Sequence, residues 1–190
     1  MPKIKTIRED IISEKELRET INRARSNEIK VLIAILYLTG ARISEVKSIR
    51  AKDIEIDEDC WYIEMITLKQ RKKEWQIPIK RRLKLVREVL FEKIILPYLK
   101  AMGFKENEFI FSKTRQYYYK EIKFANPNMY PHLFRHTLAT VLSERVDPYS
   151  LKEWFGWKKL ETSLRYVSPK NAIENVYKKN KEILEDGRKK

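Results

Sequence analysis

Arg42 and Arg135 are the first residues to ask about, because each lies beside side chains able to steer a guanidinium. Arg42 falls in Thr39-Gly40-Ala41-Arg42-Ile43-Ser44-Glu45, where a glycine closes one apolar run and a second helical stretch begins. Backbone N–H groups at a helix start favour an anion, and Glu45, three residues on, shares a helical face with Arg42 and can orient it. Taken alone, an Arg-x-x-Glu pair reads as a surface salt bridge. Arg135 falls in Pro131-His132-Leu133-Phe134-Arg135-His136-Thr137-Leu138-Ala139-Thr140, where His132 and Arg135 face one side of a helix. The chain has 2 histidines, His132 and His136, and both lie here. Their spacing is half of a zinc site, but no cysteine cluster or Glu-x-x-His partner accompanies it, so no metal is expected; packing against a core is the other reading. A third segment runs Trp154-Phe155-Gly156-Trp157 and on to Ser163-Leu164-Arg165-Tyr166-Val167. Tyr166 is one of 10 tyrosines and says nothing by type; its position relative to Trp157 is what has to be explained.

The elements that must position these residues are mostly helical, since glycine is scarce and Lys/Glu/Leu/Ile-rich stretches are long. Ser13 and Glu16 form a capping box that opens a helix over about 13–26. A second helix, about 27–38, is apolar on most faces and ends at Gly40. A third has Ser44 to Ile49 as its body. Residues 53–57, 61–68 and 74–79 are β-branched or aromatic and partly alternating, which predicts a small antiparallel sheet. Lys69-Gln70-Arg71-Lys72-Lys73 forms a basic turn between the last two strands. A long helix is expected over 81–102, with an interruption at Pro97. After a short segment at Phe109-Ile110-Phe111 the chain is helical again; Pro131 sits at a possible helix start with Leu133 to Arg145 as the helix, and others follow over 148–155, over 161–166 and over 169–185. The fold class is mainly α with a small antiparallel β-sheet.

Composition narrows the partner. Lys plus Arg number 41 against 27 Asp plus Glu, a formal net charge of +14. Cations that contact phosphates release condensed counterions, so this excess favours a polyanion and points to nucleic acid. Cys60 is the single cysteine, which excludes a disulfide within the chain and suits a reducing, cytoplasmic setting. The longest apolar run, Val31 to Leu38, is too short to span a membrane, and the first residues lack the apolar stretch of a signal peptide.

Together the three segments resemble the catalytic domain of the tyrosine recombinases, the phage-integrase family. The family's Arg-x-x-(Glu/Asp) box after Thr-Gly is matched by Thr39 to Glu45. Its His-x-Leu-Arg-His-Thr-x-Ala-Thr box is matched by His132 to Thr140. Its Leu-Gly-(His/Trp) box, followed nine residues later by a nucleophilic tyrosine, is matched by Phe155-Gly156-Trp157 and Tyr166. Phe134 and Phe155 replace the usual leucines. The resemblance covers about Glu28 to Ser168, and the order and spacing of three boxes carry it.

The resemblance implies a tyrosine recombinase catalytic-domain fold and a division of labour that phosphoryl chemistry makes intelligible. Arg42 and Arg135 hold the non-bridging oxygens of a phosphodiester through planar, permanently charged forks. Tyr166 attacks phosphorus and forms a 3′-phosphotyrosyl link, which conserves the bond energy, so neither a metal nor ATP nor any other cofactor is needed. A lysine in a hairpin turn protonates the departing 5′-oxygen. Lys69 is the candidate, but the turn lacks the common Gly-Lys-Gly pattern, and Lys72 and Lys73 stay in contention. Arg71 and those lysines not used in catalysis contact the DNA backbone. His132 assists proton transfer or donates to the phosphate. Trp157 stands where most members have histidine; an indole donates one N–H but shuttles no proton. Glu45 buttresses Arg42 or His132.

The implied partner is double-stranded DNA at a specific site, bound as a homotetramer by a chain that is a monomer or weak oligomer when free, cytoplasmic or associated with the nucleoid. Full-length members clamp DNA with a separate helical N-terminal domain, for which residues 1–26 are too few. A single catalytic domain is therefore expected over 1–190, either the catalytic portion of a larger recombinase or an unusually short member, its motifs within about 28–168, with a C-terminal helix over about 169–185 that packs internally or docks on a neighbour. The alternatives are a type IB topoisomerase-like enzyme, which the integrase-type boxes argue against, and a non-catalytic DNA-binding regulator, which would be expected to have lost Tyr, Arg or His. The abundance of Lys, Glu and Ile is compatible with a thermophilic source such as an archaeal virus or mobile element.

Overall fold

In a computed structural model, residues 11–67, 79–167, 177 and 181 are described. The chain divides into two units, one ending at Leu138 and the next beginning at Ala139.

The first unit is built around one apolar helix. Helix α1 (Glu14–Arg23) opens with the expected capping box: Glu16 N–H donates to Ser13 Oγ at 3.3 Å and Ser13 N–H returns to Glu16 Oε2 at 2.8 Å. Helix α2 (Asn27–Thr39) is capped by Ser26. Ile29 and all residues from Val31 to Leu36 are buried, which is why α2 shows apolar residues on most faces rather than one stripe. Helices α1, α4 (Leu96–Met102) and α5 (Arg115–Ala125) pack around it. Gly40 ends α2 in the left-handed conformation, φ 58°, a geometry that a Cβ disfavours. The chain thereby reverses within two residues into α3 (Ile43–Val46), a single turn shorter than the sequence suggests.

A three-stranded antiparallel sheet in the order β1-β2-β3 follows: β1 (Ile54–Ile56), β2 (Cys60–Ile66) and β3 (Lys80–Val86). Here the structure corrects the sequence reading. The segment 81–86, expected to open a long helix, is the third strand, with Arg81 opposite Met65 and Leu83 opposite Ile63. Arg81, Leu83 and Leu85 point inward and alternate with outward Lys80, Arg82, Lys84 and Val86, a period of two hidden by the charge of its first inward member. The strand expected over 74–79 lies outside the described residues except for Ile79, whose carbonyl accepts from Thr67 N–H at 2.8 Å. Helical structure starts only after Arg87, with a π-helical turn at Phe91–Ile95 before α4. That wider turn ends just before Pro97, whose ring would clash with a regular α-helical carbonyl one turn back. Trp61 stacks on Phe91 at 4.8 Å and ties the sheet to this helical segment.

Helix α6 (Pro131–Ser143) starts at Pro131 as expected and carries the chain from the first unit into the second. In the second unit, α7 (Pro148–Phe155) is capped by Asp147, whose carboxylate accepts from Tyr149 and Ser150 N–H. Helix α8 (Leu160–Leu164) packs on α7. It ends two residues earlier than expected, leaving Tyr166 in the turn after it rather than inside it. The helix expected over 169–185 falls outside the described residues apart from Tyr177 and Lys181. Among the described residues no helix is long and apolar enough to cross a membrane.

Candidate active site

The turn from Gly40 to Arg42 gathers the first group. Arg42 is the N-cap of α3, with extended backbone at φ −75° and ψ 146°. Glu45, one turn on, reaches back so that its Oε2 accepts from Arg42 N–H at 2.9 Å while its Oε1 accepts from Arg42 Nη1 at 2.7 Å. One carboxylate thus caps the helix and fixes the guanidinium. The same Oε2 accepts from Nη2 of Arg81 on β3 at 2.8 Å. The side chain of Glu45 is 0% exposed, that of Arg81 8% and that of Arg42 17%, so the pair on the β3 side is buried and the Arg42 end reaches solvent.

Burial pushes the Glu45 carboxyl up, but the Arg81 guanidinium, the Arg42 N–H and the Arg42 guanidinium together outweigh it, and the net direction is down. Burial likewise pulls the Arg81 guanidinium down against the opposing pull of Glu45. Both groups remain charged near neutrality, because arginine holds its proton far above that range. Burying ions is costly unless partners and hydrogen bonds compensate; here the carboxylate accepts three.

Arg135 joins this turn from α6. It is buried, and its Nη1 donates to the Gly40 carbonyl at 2.9 Å. The left-handed glycine therefore does two things: it ends α2, and it turns out a carbonyl that fixes the second arginine. Thr39 supports the reversal, with its hydroxyl donating to Ile35 carbonyl and accepting from Ala41 N–H. His132 lies exposed on the first turn of α6, one turn before Arg135.

The second unit presents an aromatic column. Phe155 stacks on Trp157 with centroids 4.8 Å apart, and Trp157 stacks on Tyr166 at 5.4 Å with an interplanar angle of 7°. Gly156, left-handed at φ 61°, ends α7 and lets the chain fold so that Trp157 N–H donates to the Lys152 carbonyl. Phe155 and Trp157 are buried and Tyr166 is half-buried. The Tyr166 backbone is fixed from two sides: its N–H donates to Ser163 carbonyl at 3.0 Å, and its carbonyl accepts from Ser143 Oγ at 2.9 Å.

Of the residues singled out from sequence, Arg42, Glu45 and Arg135 meet at one turn of the first unit, and Trp157 and Tyr166 meet in the second. Lys69, Arg71, Lys72 and Lys73 lie outside the described residues. Sequence reasoning missed Arg81: it heads the alternating inward set Arg81, Leu83, Leu85, but its charge hides the period of two. It also missed Ser143, a helical serine that nothing in its type sets apart.

The phage integrase family model matches residues 10–172. Tyrosine recombinase XerA of Saccharolobus solfataricus is 25% identical over 176 residues, 88% of this chain and 55% of that protein. Tyrosine recombinase XerD of Listeria monocytogenes is 29% identical over 164 residues, 78% of this chain and 53% of that protein. The chain thus spans about half the length of these curated relatives. Among solved structures, XerH site-specific recombinase bound to its difH substrate shares the fold at TM-score 0.63 and 23% identity, over 83% of this chain and 49% of that one. The catalytic domain of bacteriophage HP1 integrase shares it at TM-score 0.59 and 19% identity, over 82% and 85%. A family model spanning most of the chain, and a fold shared with a solved integrase catalytic domain, lead to one conclusion: the chain belongs to the phage integrase family.

Proposed function

We propose that this chain is the catalytic domain of a site-specific DNA recombinase that cleaves and rejoins DNA through a tyrosyl phosphodiester. The observation that carries the reading is the convergence of two guanidiniums on one turn: Arg42 fixed by Glu45, and Arg135 fixed by the Gly40 carbonyl. Two forks each fixed to the same turn suit the two non-bridging oxygens of a phosphodiester, whose negative charge grows as a fifth oxygen adds to phosphorus.

In this reading the Tyr166 oxygen attacks phosphorus, the bond to the 5′-oxygen breaks, and the DNA 3′ end becomes ester-linked to the tyrosine. The phenolic proton leaves with His132 assisting, and the departing 5′-oxygen takes a proton from Lys69, with Lys72 and Lys73 the alternatives. Attack by a 5′-hydroxyl on the phosphotyrosine reverses these steps and rejoins the strand, so the cycle is isoenergetic and calls for no metal or nucleotide. Trp157 donates its indole N–H to a phosphate oxygen and stacks on the Tyr166 ring. Arg71 and whichever of Lys72 and Lys73 are not the acid bind the DNA backbone. The partner is double-stranded DNA at a specific site, a reading supported by XerH site-specific recombinase solved bound to its difH substrate and by the Tn1549 transposon integrase solved with transposon right end DNA; the working form on DNA is a homotetramer of such chains.

The test is a nicked duplex whose cleavage releases a short 5′-terminated strand, so that the reverse reaction is lost. Incubated without magnesium, the protein is expected to form an adduct stable to SDS, and Tyr166→Phe none. An adduct that persists in Tyr166→Phe refutes the nucleophile assignment. Relaxation of supercoiled plasmid without a defined site would favour a topoisomerase instead.

A further inference from the structure

Arg81 lies on no motif, and it reaches Glu45 from a strand that sequence alone takes for a helix. Its side chain is 8% exposed, and its Nη2 is 2.8 Å from the carboxylate oxygen that also caps Arg42. Glu45 is 0% exposed, so its charge is not dissipated in water. Were Arg42 its only cationic partner, carboxylate and guanidinium would form a neutral buried pair, and the positive charge meant for a phosphate would be spent inside the protein. With Arg81 on the far side, two cations share this one anion among the described residues, and the group retains a net positive charge at its solvent-facing end, Arg42, whose side chain is 17% exposed.

We propose that Arg81 is a positioning residue for strand cleavage: it offsets the charge of Glu45, so that Glu45 orients Arg42 without neutralising it. This rests on the reading of Arg42 as a phosphate ligand. The placement has a structural logic as well. Arg81 is the second residue of β3, at the end of the strand that follows residues 68–78, the segment carrying the candidate general acids. Its register opposite Met65 and its bond to Glu45 therefore tie the β2–β3 pair to the arginine turn through a single carboxylate.

The test compares Arg81→Met, Arg81→Lys and the double variant Arg81→Met with Glu45→Gln on the nicked duplex, measuring adduct formation at saturating DNA together with DNA affinity. Arg81→Met is expected to slow adduct formation on the order of 10²-fold, the scale of one lost oxyanion donor. DNA affinity should change little, because it is set by many phosphate contacts. Arg81→Lys retains the charge and most of the rate. The informative variant is the double one: removing anion and cation together restores the local charge, so it should cleave about tenfold or more faster than Arg81→Met. A merely structural Arg81, holding Glu45 in place by hydrogen bonds, predicts the opposite, a double variant no faster than the single one, and that result overturns the proposal. So does an Arg81→Met that cleaves like the wild type. Thermal melting by circular dichroism checks folding; should Arg81→Met unfold, the double variant is compared with the wild type, and a loss beyond about 10³-fold overturns the proposal. Wild-type protein that forms no adduct defeats the recombinase reading and this inference with it. Wild-type adduct with indifferent Arg81 variants defeats this inference alone.

Discussion

At the scale of single residues, Glu45 is the most constrained side chain of the candidate site, serving one helix cap and two guanidiniums. Replacing it with Gln leaves two arginines sharing a neutral amide, and breaking a buried ion pair from one side costs about 3–5 kcal/mol. Urea unfolding of Glu45→Gln should show that loss as a lower midpoint. Its pH dependence follows from the downward direction of the Glu45 titration. A carboxyl held below its ordinary value of 4.5 contributes stability that is complete above that value and is lost as pH falls through the folded-state value. Wild-type melting temperature should therefore drop more steeply below about pH 4.5 than that of Glu45→Gln, and parallel curves would contradict the charged triad. Trp157→Phe tests a different residue: it keeps a ring between Phe155 and Tyr166 but removes the indole N–H. Adduct formation is expected to slow on the order of 10²-fold with little change in melting temperature. Arg42, Glu45, Arg135, Trp157 and Tyr166, the candidates that the structure places in two groups, can be picked out from the sequence, because phosphoryl transfer restricts residue type and the boxes restrict spacing. Arg81 cannot, since a strand whose first inward residue is charged looks like the polar side of a helix.

At the scale of elements, the turn between α2 and α3 does the positioning. Gly40 must adopt the left-handed conformation for the chain to reverse, and its carbonyl then receives Arg135. Gly40→Ala should cost about 1–2 kcal/mol from the Cβ alone. It should also slow cleavage, measured against an equally destabilised variant elsewhere, because Arg135 loses its aim. The helices were the easier part to read: Ser13 with Glu16, Gly40, Pro131 and the start of α7 are local signals that the chain obeys. The sheet was harder. Strand β3 has the composition of a helix (Lys, Arg, Leu), and only its pairing with β2 over Cys60 to Ile66 makes it a strand. Tertiary pairing overrode propensity there, as it commonly does for strands. The end of α8 shows the same limit at smaller scale: the helix stops at Leu164, and Tyr166 gains its place from stacking on Trp157, a contact that no local pattern encodes.

At the scale of the whole molecule, the formal charge of +14 fits a protein whose affinity for DNA comes from phosphates. Binding to a duplex should weaken about 10³-fold or more between 50 and 200 mM salt if six or more phosphates are neutralised. A fluorescence anisotropy titration at several salt concentrations gives the slope. The arginine turn and the aromatic column belong to different units of the chain, so what unites them is the chemistry proposed for them, a phosphate held by Arg42 and Arg135 and attacked by Tyr166. The most direct measurement of that claim is the identity of the residue that carries DNA after cleavage. Adduct from the nicked duplex, digested with nuclease and trypsin, should yield one nucleotide-bearing peptide, Tyr166-Val167-Ser168-Pro169-Lys170, with fragmentation placing the mass on Tyr166. Nucleotide on Ser168, or on any of the other tyrosines, would contradict it.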